Sequence, residues 1–583
     1  MTPAPQSSVI SMLHGRASMR PDDAALTFID YTHDPAGVAE TLTWSQLSRR
    51  TLGVARELSH HASVGDRAVI LAPQSLDYVT AFLGAMQAGL IAVPLPLPHR
   101  GSTHDRVSTV FEDTSPAVVL TTAEVAGDVG DYVDQSRLDT APKLIEVDRV
   151  AQSQEDGAGP AGPLPADLPS VAYLQYSSGS TRSPAGVMLS HRNLTANFDQ
   201  LMRSFFAESK APADMTIVSW LPFYHDMGLV LGICAPILGG FHAVLTSPVA
   251  FLEKPSRWVR ALAEYPHAWS SAPNFAFDLA ARKTTDADLA GLDLGGVRGI
   301  ISGAERVEPA TLRRFVDRFA HFNFRDDMMR PSYGLAEATV FVTSGVWNDS
   351  TAEAHFDVDA LAAGRVEPTT RRKGTSLVKY AVPQSPSLRI VDNETRHEAA
   401  PGLIGEIWVC GENVAEGYWK KSPQEQLCFG AEIVDPSTGT PTGPWLRTGD
   451  LGFVHDGELF IVGRIKDLLI VRGRNHYPED IEATVQEITG GRVAALAVPV
   501  RGTEELVTVI ELKMRTDGNG DPVSWLSGVK NDVTSAISNA HGLNVGDLVL
   551  VQPGSIPTTT SGKIRRAACA EQYRQDQFER LDA

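Results

Sequence analysis

Apolar runs of strand length recur along this chain and alternate with amphipathic stretches of helical length. Among the runs are Arg67 to Leu71 (RAVIL), Ala117 to Leu120 (AVVL), Val171 to Tyr176 (VAYLQY) and Val297 to Ser302 (VRGIIS). Strands that alternate with helices bury both faces of a largely parallel sheet under helical layers. The pattern therefore predicts an α/β fold with several layers of sheets and helices.

One helix of this pattern is predicted directly after Ser190, whose hydroxyl suits an N-cap. Its apolar side chains recur at helical spacing and would form one buried stripe. They are Leu194, Phe198, Leu201, Met202 and Phe205.

The length of 583 residues exceeds what one core needs at roughly 150 residues per domain. The pattern shortens beyond Gly463, so we expect a large domain over residues 1–463 and a small α+β domain over residues 464–583. The elements expected in the second are a strand at Leu468 to Val471, a helix opened by Pro478 with Ile481, Val485 and Ile488 on one face, strands at Val493 to Val500 and Leu506 to Leu512, another helix, and Leu548 to Val551.

Charge and cysteine content exclude several classes of function. The chain has 51 basic and 70 acidic residues, a net charge of −19, so nucleic acid is not expected as its main partner. Its four cysteines are too widely spaced for paired metal ligands and fit a reducing compartment. Residues 1–16 lack the basic start and apolar segment of a secretory signal, so we expect a cytoplasmic protein.

Two long stretches without Asp, Glu, Lys or Arg raise the question of a membrane span. They are Tyr78 to Pro98 and Gly228 to Leu252. Internal glycines and prolines, such as Gly89 and Pro236, would break a single spanning helix. We predict a buried helix followed by a buried strand in each case, and no transmembrane segment.

The segment Tyr176 to Val187 (YSSGSTRSPAGV) places small and hydroxyl residues between two apolar runs. Such a loop can direct backbone N–H groups and hydroxyls at phosphate oxygens, and Thr181 can also reach a metal ion. The spacing is not that of a Walker A loop, and Val187 to Leu189 looks like a strand. An ordinary polar surface loop is the alternative.

Three further motifs each place a candidate charged side chain among small residues. They are Glu337 in PSYGLAEAT, Asp450 in WLRTGDLG and Lys563 in PTTTSGKIRR. Taken singly, the first and third are ordinary solvated side chains, and the second is an ordinary turn-forming aspartate.

The joint occurrence and order of these motifs are more specific than any one of them. YSSGSTRSPAGV, YGLAEAT, RTGD, GRIKD and TSGKIRR resemble the signature series of the adenylate-forming superfamily of acyl-CoA synthetases, adenylation domains and luciferases. The resemblance spans nearly the whole chain. SWLPFYHDMGL, SAPNFAF and DLLIVRGRNHYPEDIE look like the long-chain fatty-acyl-AMP ligase branch.

The resemblance implies an ATP site with a role for each matching residue. The loop Ser177, Ser178, Gly179, Ser180 and Thr181 would hold the phosphates, and Glu337 with Thr181 would bind Mg²⁺. The adenine pocket would be lined by Ser302, Gly303, Ala304 and Glu305, with Tyr333 and Gly334 beside the base. Asp450 would hold the ribose hydroxyls with Arg464 nearby. The superfamily usually has Gly and Lys where this chain has Arg182 and Ala185.

The resemblance also implies the chemistry, attack of a fatty carboxylate on the α-phosphorus of ATP. Two anions must meet, so the demand on the protein is cationic, and Lys563 is the residue expected to meet it. His225 is expected near the carboxylate at the mouth of an apolar acyl tunnel, and a packed histidine is the alternative. Arg565 and Arg566 add positive charge that can hold ATP or an acidic carrier protein.

Two further features concern domain movement. Lys466 in GRIKD matches the hinge about which the small domain of adenylate-forming enzymes rotates. A stretch at about residues 346–380 matches an insertion of fatty-acyl-AMP ligases that suppresses thioester formation with free coenzyme A. An ordinary surface loop is the alternative.

The leading hypothesis is therefore an ATP- and Mg²⁺-dependent enzyme that converts a long-chain fatty acid to acyl-AMP. The acyl group would pass to an acyl carrier protein of a polyketide synthase for complex lipid biosynthesis. The close rival is a fatty-acyl-CoA synthetase. A catalytically inactive scaffold that binds acyl groups or nucleotide is the alternative from another class.

Overall fold

The computed structural model describes residues 8–98, 106–136, 138, 140–150, 168–176, 184–206, 211–345, 353–370, 374–471, 474–500, 503–513, 522–559 and 562–582. The strands up to the middle of the chain are β1 (Ala24–Asp30), β2 (Val38–Thr43), β3 (Arg67–Ile70), β4 (Ile91–Pro94), β5 (Val118–Thr121), β6 (Lys143–Glu146), β7 (Val171–Tyr176), β8 (Gly186–Ser190), β9 (Thr216–Ser219), β10 (His242–Leu245), β11 (Trp269–Pro273), β12 (Gly299–Gly303), β13 (Met329–Tyr333) and β14 (Thr343–Ser344). The later strands are β15 (Glu353–Asp357), β16 (Gly374–Val378), β17 (Tyr380–Ala381), β18 (Ser387–Val391), β19 (Gly405–Cys410), β20 (Leu446–His455), β21 (Glu458–Arg464), β22 (Leu469–Val471), β23 (Arg474–His476), β24 (Val493–Val500), β25 (Thr503–Glu511) and β26 (Val545–Val551).

Helices connect most of these strands. They are α1 (Val9–Met19), α2 (Trp44–Ser59), α3 (Leu76–Gln87), α4 (Arg106–Thr114), α5 (Ala126–Gln135), α6 (His191–Phe206), α7 (Ala235–Gly239), α8 (Pro248–Glu253), α9 (Ser256–Glu264), α10 (Asn274–Lys283), α11 (Pro309–Phe319), α12 (Val358–Ala362), α13 (Pro478–Thr489), α14 (Pro522–His541) and α15 (Arg566–Arg574). A π-helix runs over Met227–Cys234.

Two mostly parallel sheets form the body of the large part. One has the order β14-β13-β12-β11-β9-β10-β1-β2, parallel from β13 to β1 with antiparallel strands at both edges. The other has the order β6-β5-β3-β4-β7-β8, with only β8 antiparallel to its neighbour. This arrangement confirms the predicted α/β class with layered sheets and helices.

Helix α3 explains the first membrane-like stretch. It packs on β3 and β4 of one sheet and on β1 of the other, so it lies between the two. Every residue from Tyr78 to Gln87 is buried. A helix covered by protein on all sides needs no polar face, and this is why its sequence looks like a spanning segment. Within the described residues, no helix is long and apolar enough to cross a membrane.

A five-stranded antiparallel sheet, β17-β21-β20-β19-β18, follows the two parallel sheets. Strand β20 pairs with β21 so that Asp450 lies opposite Arg464. Two residues that are 14 positions apart in the sequence are thereby placed side by side at the edge of the main cleft.

The chain after Leu469 has its own sheet and its own apolar clusters. Strands β24 and β25 are antiparallel, β25 and β26 are parallel, and α13, α14 and α15 pack around them. Ile481 and Val485 of α13 are buried, whereas Ile488 is 41% exposed. Ile488 lies in the last turn of the helix.

Candidate active site

A cleft of about 2540 Å³ lies between the carboxyl edge of the eight-stranded sheet, the five-stranded sheet and the small C-terminal unit. Parallel strands end on the same edge of a sheet, so the residues that follow β9, β11, β12 and β13 converge there. The predicted site residues that line the cleft are His225, Gly303, Ala304, Glu305, Tyr333, Gly334, Glu337, Asp450, Arg464, Lys466 and Lys563.

Asp450 is held by three groups of the cleft wall. Its Oδ1 atom lies 2.8 Å from Nε of Arg464, and its Oδ2 accepts a hydrogen bond of 2.7 Å from the Tyr333 hydroxyl. Its backbone N–H donates to Oγ1 of Thr448 at 3.1 Å. The carboxylate is buried, and its charge raises the pKa of Arg464. A carboxylate oriented by Arg464 and Tyr333 therefore lies at the cleft wall.

The wall at the end of β12 combines tight packing with one unpaired polar atom. A Cβ atom on Gly303 would lie 3.2 Å from the Ser332 carbonyl oxygen, and Ala304 has a left-handed φ of 68°. Within the described residues the buried Oγ of Ser302 has no hydrogen-bond partner. Glu305 accepts a hydrogen bond of 3.1 Å from the backbone N–H of Phe275, and burial raises its pKa.

Gly334 follows β13 at a point where no side chain fits. A Cβ atom there would approach the Val340 carbonyl oxygen to 1.8 Å, far inside any contact distance. The chain from Gly334 folds back through a short 3₁₀ turn at Ala336–Ala338, and Thr339 takes a left-handed φ of 72°. This tight loop presents Glu337 to the cleft.

Glu337 is oriented from the opposite side of the cleft. Its Oε1 accepts a hydrogen bond of 2.7 Å from the Tyr418 hydroxyl, and its backbone carbonyl accepts one of 2.9 Å from Ala415 N–H. Among the residues described, no group of three or more His, Cys, Asp or Glu side chains is placed to hold a metal ion alone. A single carboxylate fits Mg²⁺ that is shared with nucleotide phosphates, because Mg²⁺ is commonly bound by one or two carboxylates together with phosphates and water.

The predicted phosphate loop, Ser177 to Thr181, lies outside the described residues, but both of its flanks are placed. Before it, the Tyr176 hydroxyl donates to Oδ2 of Asp113 at 2.6 Å. After it, Gly186 packs on the Tyr176 ring so closely that a Cβ would lie 2.8 Å from that ring. The predicted strand follows as β8. Ala185 and Tyr176 both line the cleft.

His225 and Asp226 lie where β9 leads into the π-helix. Nδ1 of His225 is 2.7 Å from Oδ1 of Asp226, which also accepts a hydrogen bond of 2.8 Å from Met227 N–H. Only glycine fits at position 228 in the first turn of the π-helix, because a Cβ there would meet the Pro222 carbonyl oxygen at 2.1 Å. Burial opposes ionisation of Asp226, but the charge and hydrogen bond of His225 and the charge of Lys563 outweigh it and lower its pKa.

Lys563 extends into the cleft from the C-terminal unit. Its turn is closed by hydrogen bonds to Thr559, from Lys563 N–H to Oγ1 at 3.1 Å and from Thr559 N–H to the Lys563 carbonyl at 2.7 Å. Gly562 supplies the left-handed φ of 85°. Burial and the charge of Arg464 lower the pKa of Lys563, while Asp226, Glu305 and Asp450 act in the opposite direction. Its ammonium therefore lies in the field of carboxylates from three separate parts of the chain.

Arg566 does not offer its charge to a ligand, contrary to the expectation for this basic tail. Its guanidinium lies 2.6 Å from Glu482, 3.0 Å from Glu479 and 3.4 Å from Asp467. Burial opposes its charge, but these carboxylates raise its pKa. Arg566 therefore holds the small unit together, whereas Arg565 is exposed.

Several cleft residues were missed by sequence reasoning. Asp226 could have been found as a carboxylate in the otherwise apolar run WLPFYHDMGL. Tyr418 and Arg306 carry no comparable signal, because their importance depends on partners 81 and 174 positions away in the sequence, Glu337 and Asp480.

Comparison with known proteins gives the family. The AMP-binding enzyme family matches residues 13–419, more than half of the chain. The chain belongs to the AMP-binding enzyme family. Residues 466–582 of this AMP-binding enzyme also match the Disco-interacting protein 2-like AMP domain.

Similar proteins indicate which branch of the family the chain resembles. A Mycobacterium leprae protein named as the fatty-acid–CoA ligase FadD21 is 60% identical over 578 residues, 99% of each chain. The long-chain-fatty-acid–AMP ligase FadD28 of Mycobacterium tuberculosis is 56% identical over 579 residues, again 99% of each chain. The crystal structure of a fatty acyl-adenylate ligase from Legionella pneumophila in complex with acyl adenylate and pyrophosphate has a TM-score of 0.72 at 32% identity, and the match covers 98% of this chain and 96% of that one. The predicted membership of the adenylate-forming superfamily and of its fatty-acyl-AMP ligase branch is confirmed.

Proposed function

We propose that this AMP-binding enzyme is a fatty-acyl-AMP ligase, which joins a long-chain fatty acid to AMP and releases pyrophosphate. The observation that carries the proposal is the meeting of Lys563 with Asp226, Glu305 and Asp450 at one cleft. The names of FadD28 and of the Legionella complex, which holds acyl adenylate and pyrophosphate, support this reaction.

The reaction requires charge neutralisation more than proton transfer. A carboxylate oxygen attacks the α-phosphorus of ATP, the bond from that phosphorus to the bridging oxygen breaks, and the electron pair leaves with pyrophosphate. The attacking carboxylate is already ionised, so no general base is needed. Lys563 would stabilise the negative charge that spreads over the phosphoryl oxygens, and His225 would lie near the fatty carboxylate.

The remaining site residues would hold the nucleotide. Tyr333 and Gly334 would face the adenine together with Gly303, Ala304 and Glu305 after β12, which line the cleft, whereas the Ser302 side chain is fully buried behind them. Asp450, held by Arg464 and Tyr333, would accept hydrogen bonds from the ribose hydroxyls. Ser177 to Thr181 would bind the phosphates. When Mg²⁺ is bound by Glu337 and Thr181, it would neutralise phosphate charge.

The acyl chain would occupy the apolar side of the cleft. Met227 and Leu231 of the π-helix line that side together with Leu252 and Phe275. Each methylene of a long alkyl chain gains about 0.8 kcal/mol when it is buried, so an apolar channel selects long chains over short ones.

Acyl-AMP is a mixed anhydride, so a nucleophile must accept its acyl group in the next step. We propose that the thiol of an acyl carrier protein of a polyketide synthase takes the acyl group, in the cytoplasm, for complex lipid biosynthesis. This step would require the unit beyond Gly463 to rotate about a hinge at Lys466, so that Lys563 leaves the cleft. The domain limits proposed are 1–463 and 464–583.

The segment at about 346–380 would restrict that rotation. Its residues 346–352 and 371–373 lie outside the described residues, and the rest forms the antiparallel pair β15–β16 and helix α12. Phe356 packs against Phe453 and Phe460 with ring centroids 4.8 and 4.9 Å away, in a cluster that also contains Tyr477. The segment thus contacts both sides of the proposed hinge, which favours a ligase that does not use free coenzyme A.

The name of FadD21 favours a second candidate, a fatty-acid–CoA ligase. The deciding experiment mixes the protein with ATP, Mg²⁺, a long-chain fatty acid and free coenzyme A, and identifies the products by mass spectrometry. We expect acyl-AMP without acyl-CoA. Predominant acyl-CoA would support the CoA ligase, and no turnover would support an inactive scaffold. A parallel reaction with a phosphopantetheinylated carrier protein tests the transfer step.

The rate of adenylation should depend on pH through Lys563. The residue acts as a cation, and the cation exists below its pKa, which burial and Arg464 lower from the ordinary 10.5. The rate at saturating substrates should therefore fall as the pH rises, with a midpoint below 10.5. Pyrophosphate release measured against pH checks this, with circular dichroism to exclude unfolding. A rate that stays constant up to that pH would contradict the role of Lys563.

A further inference from the structure

An ion pair joins the large part of the chain to the small C-terminal unit at the edge of the cleft. Arg306 directly follows the β12 wall, and one terminal nitrogen of its guanidinium lies 2.6 Å from Oδ1 of Asp480 in the first turn of α13. Both side chains are largely buried, with exposed fractions of 15% and 13%. Glu308 lies 3.7 Å from Nε of the same guanidinium.

Arg306 is strongly held in its charged form although it is buried. Burial opposes its charge, but Asp480, Glu308 and Glu479 raise its pKa. In the described part of the chain its Nη1 atom has no hydrogen-bond partner. A buried guanidinium that lost Asp480 would keep its desolvation cost without its best partner, so the pair favours the arrangement of the two units seen here.

Helix α13 and its ion pairs connect Arg306 to the segment that carries Lys563. Asp480 lies on α13, and the same helix carries Glu479 and Glu482. These two carboxylates bind Arg566 at 3.0 and 2.6 Å. Arg566 begins helix α15, three residues after Lys563. The position of α13 relative to β12 therefore sets the position of the Lys563 turn relative to the cleft.

We infer that Arg306 is a positioning residue that holds the small unit where Lys563 reaches the reacting groups. The inference rests on the proposed adenylation and deepens it. Arg306 need not touch the substrate, since it acts through Asp480 and α13. Its loss should slow acyl-AMP formation while leaving the nucleotide pocket intact.

The first test compares Arg306→Met with Arg318→Met. Arg318 also pairs with an aspartate, Asp286 at 2.8 Å, but it does not line the cleft, and the Asp286 side chain is 72% exposed. We expect Arg306→Met to lower the rate of acyl-AMP formation about 30- to 100-fold, as for truncation of a buried charge pair, while the Kd for AMP changes less than twofold. Arg318→Met should behave like the wild type. Equal rates for the two variants would overturn the inference.

The second test separates positioning from general damage to the fold. Because Arg306 acts through Lys563, the double variant Arg306→Met with Lys563→Ala should be no slower than Lys563→Ala alone. Additive losses would overturn the inference. Asp480→Asn removes the charge from the other side of the pair and should also form acyl-AMP slowly. It replaces Arg306→Met in the test if that variant does not fold. A normal rate in Asp480→Asn would also overturn the inference.

A third measurement does not depend on catalysis. Spin labels at the exposed positions Glu432→Cys and Glu579→Cys report the distance between the two units. The distance distribution should be narrow in the labelled wild type and broad in the labelled Arg306→Met variant, and equal distributions would contradict the positioning role of Arg306. If the wild type forms no acyl-AMP, the proposed function is contradicted. If the two distance distributions still differ in that case, the positioning role of Arg306 remains supported.

Discussion

Replacing Lys563 with alanine is expected to lower the rate of acyl-AMP formation by about 10²- to 10³-fold, or roughly 2.7 to 4 kcal/mol, the loss typical of one preorganised donor at a site of developing charge. The ammonium lies in the field of Asp226, Glu305 and Asp450. Arg566, a neighbouring cation that also lines the cleft, is already engaged by three carboxylates and so does not replace it. The measurement is the single-turnover rate with a long-chain fatty acid, ATP and Mg²⁺.

The control is Arg565→Ala, because Arg565 is a neighbouring cation that is exposed to solvent. That variant should keep the wild-type rate within about twofold, since a surface charge contributes little. The affinity of Lys563→Ala for AMP should also stay close to the wild-type value. Near-normal acyl-AMP formation by Lys563→Ala would remove the residue from its proposed role.

Replacing Arg566 with methionine is expected to destabilise the small C-terminal unit by about 3–5 kcal/mol, the cost of removing one partner from a buried ion pair. The substitution leaves Glu479, Glu482 and Asp467 near one another without their shared cation. Urea denaturation followed by tryptophan fluorescence and circular dichroism measures the loss in the free energy of unfolding.

The matched control for this change is Arg574→Met in the same helix. Arg574 forms an exposed ion pair of 2.5 Å with Glu571, so its loss should cost less than about 1 kcal/mol. The stability deficit of Arg566→Met should shrink as the pH falls. Burial already raises the pKa of Glu482, and without Arg566 that pKa rises further, so acid neutralises the unpaired carboxylate in the folded state. Equal losses in the two variants would contradict the structural role of Arg566.

Much of the fold follows from local patterns. The run VAYLQY forms β7 and the residues after Ser190 form α6, with Ser190 Oγ accepting a hydrogen bond of 3.1 Å from Asn193 N–H. The membrane-like stretch at Tyr78 forms the predicted helix and strand, α3 and β4. Strand alternation and helical spacing are properties of neighbouring residues, so they can be read without knowing what packs against them.

Other features could not be predicted from local pattern. Ile488 has the same helical spacing as the buried Ile481 and Val485 of α13, but in the last turn of the helix it is 41% exposed. Arg566 looks like a ligand-binding cation beside Lys563, yet three carboxylates from the preceding hundred residues surround it. Whether a charge is free or paired depends on contacts between distant parts of the chain, and local sequence does not contain them.

The alternation of apolar runs with amphipathic stretches was sufficient to predict the α/β class, because backbone preference is carried by each segment itself. The short motifs, through their resemblance to the adenylate-forming series, predicted the family and the types of side chain offered to a nucleotide. Only the tertiary structure decided which of these side chains meet. Asp450 is oriented by Tyr333, 117 positions earlier, and Arg306 is paired with Asp480 across two units. Such pairings arise when burial removes competing water from charged groups, and burial is a property of the packed molecule.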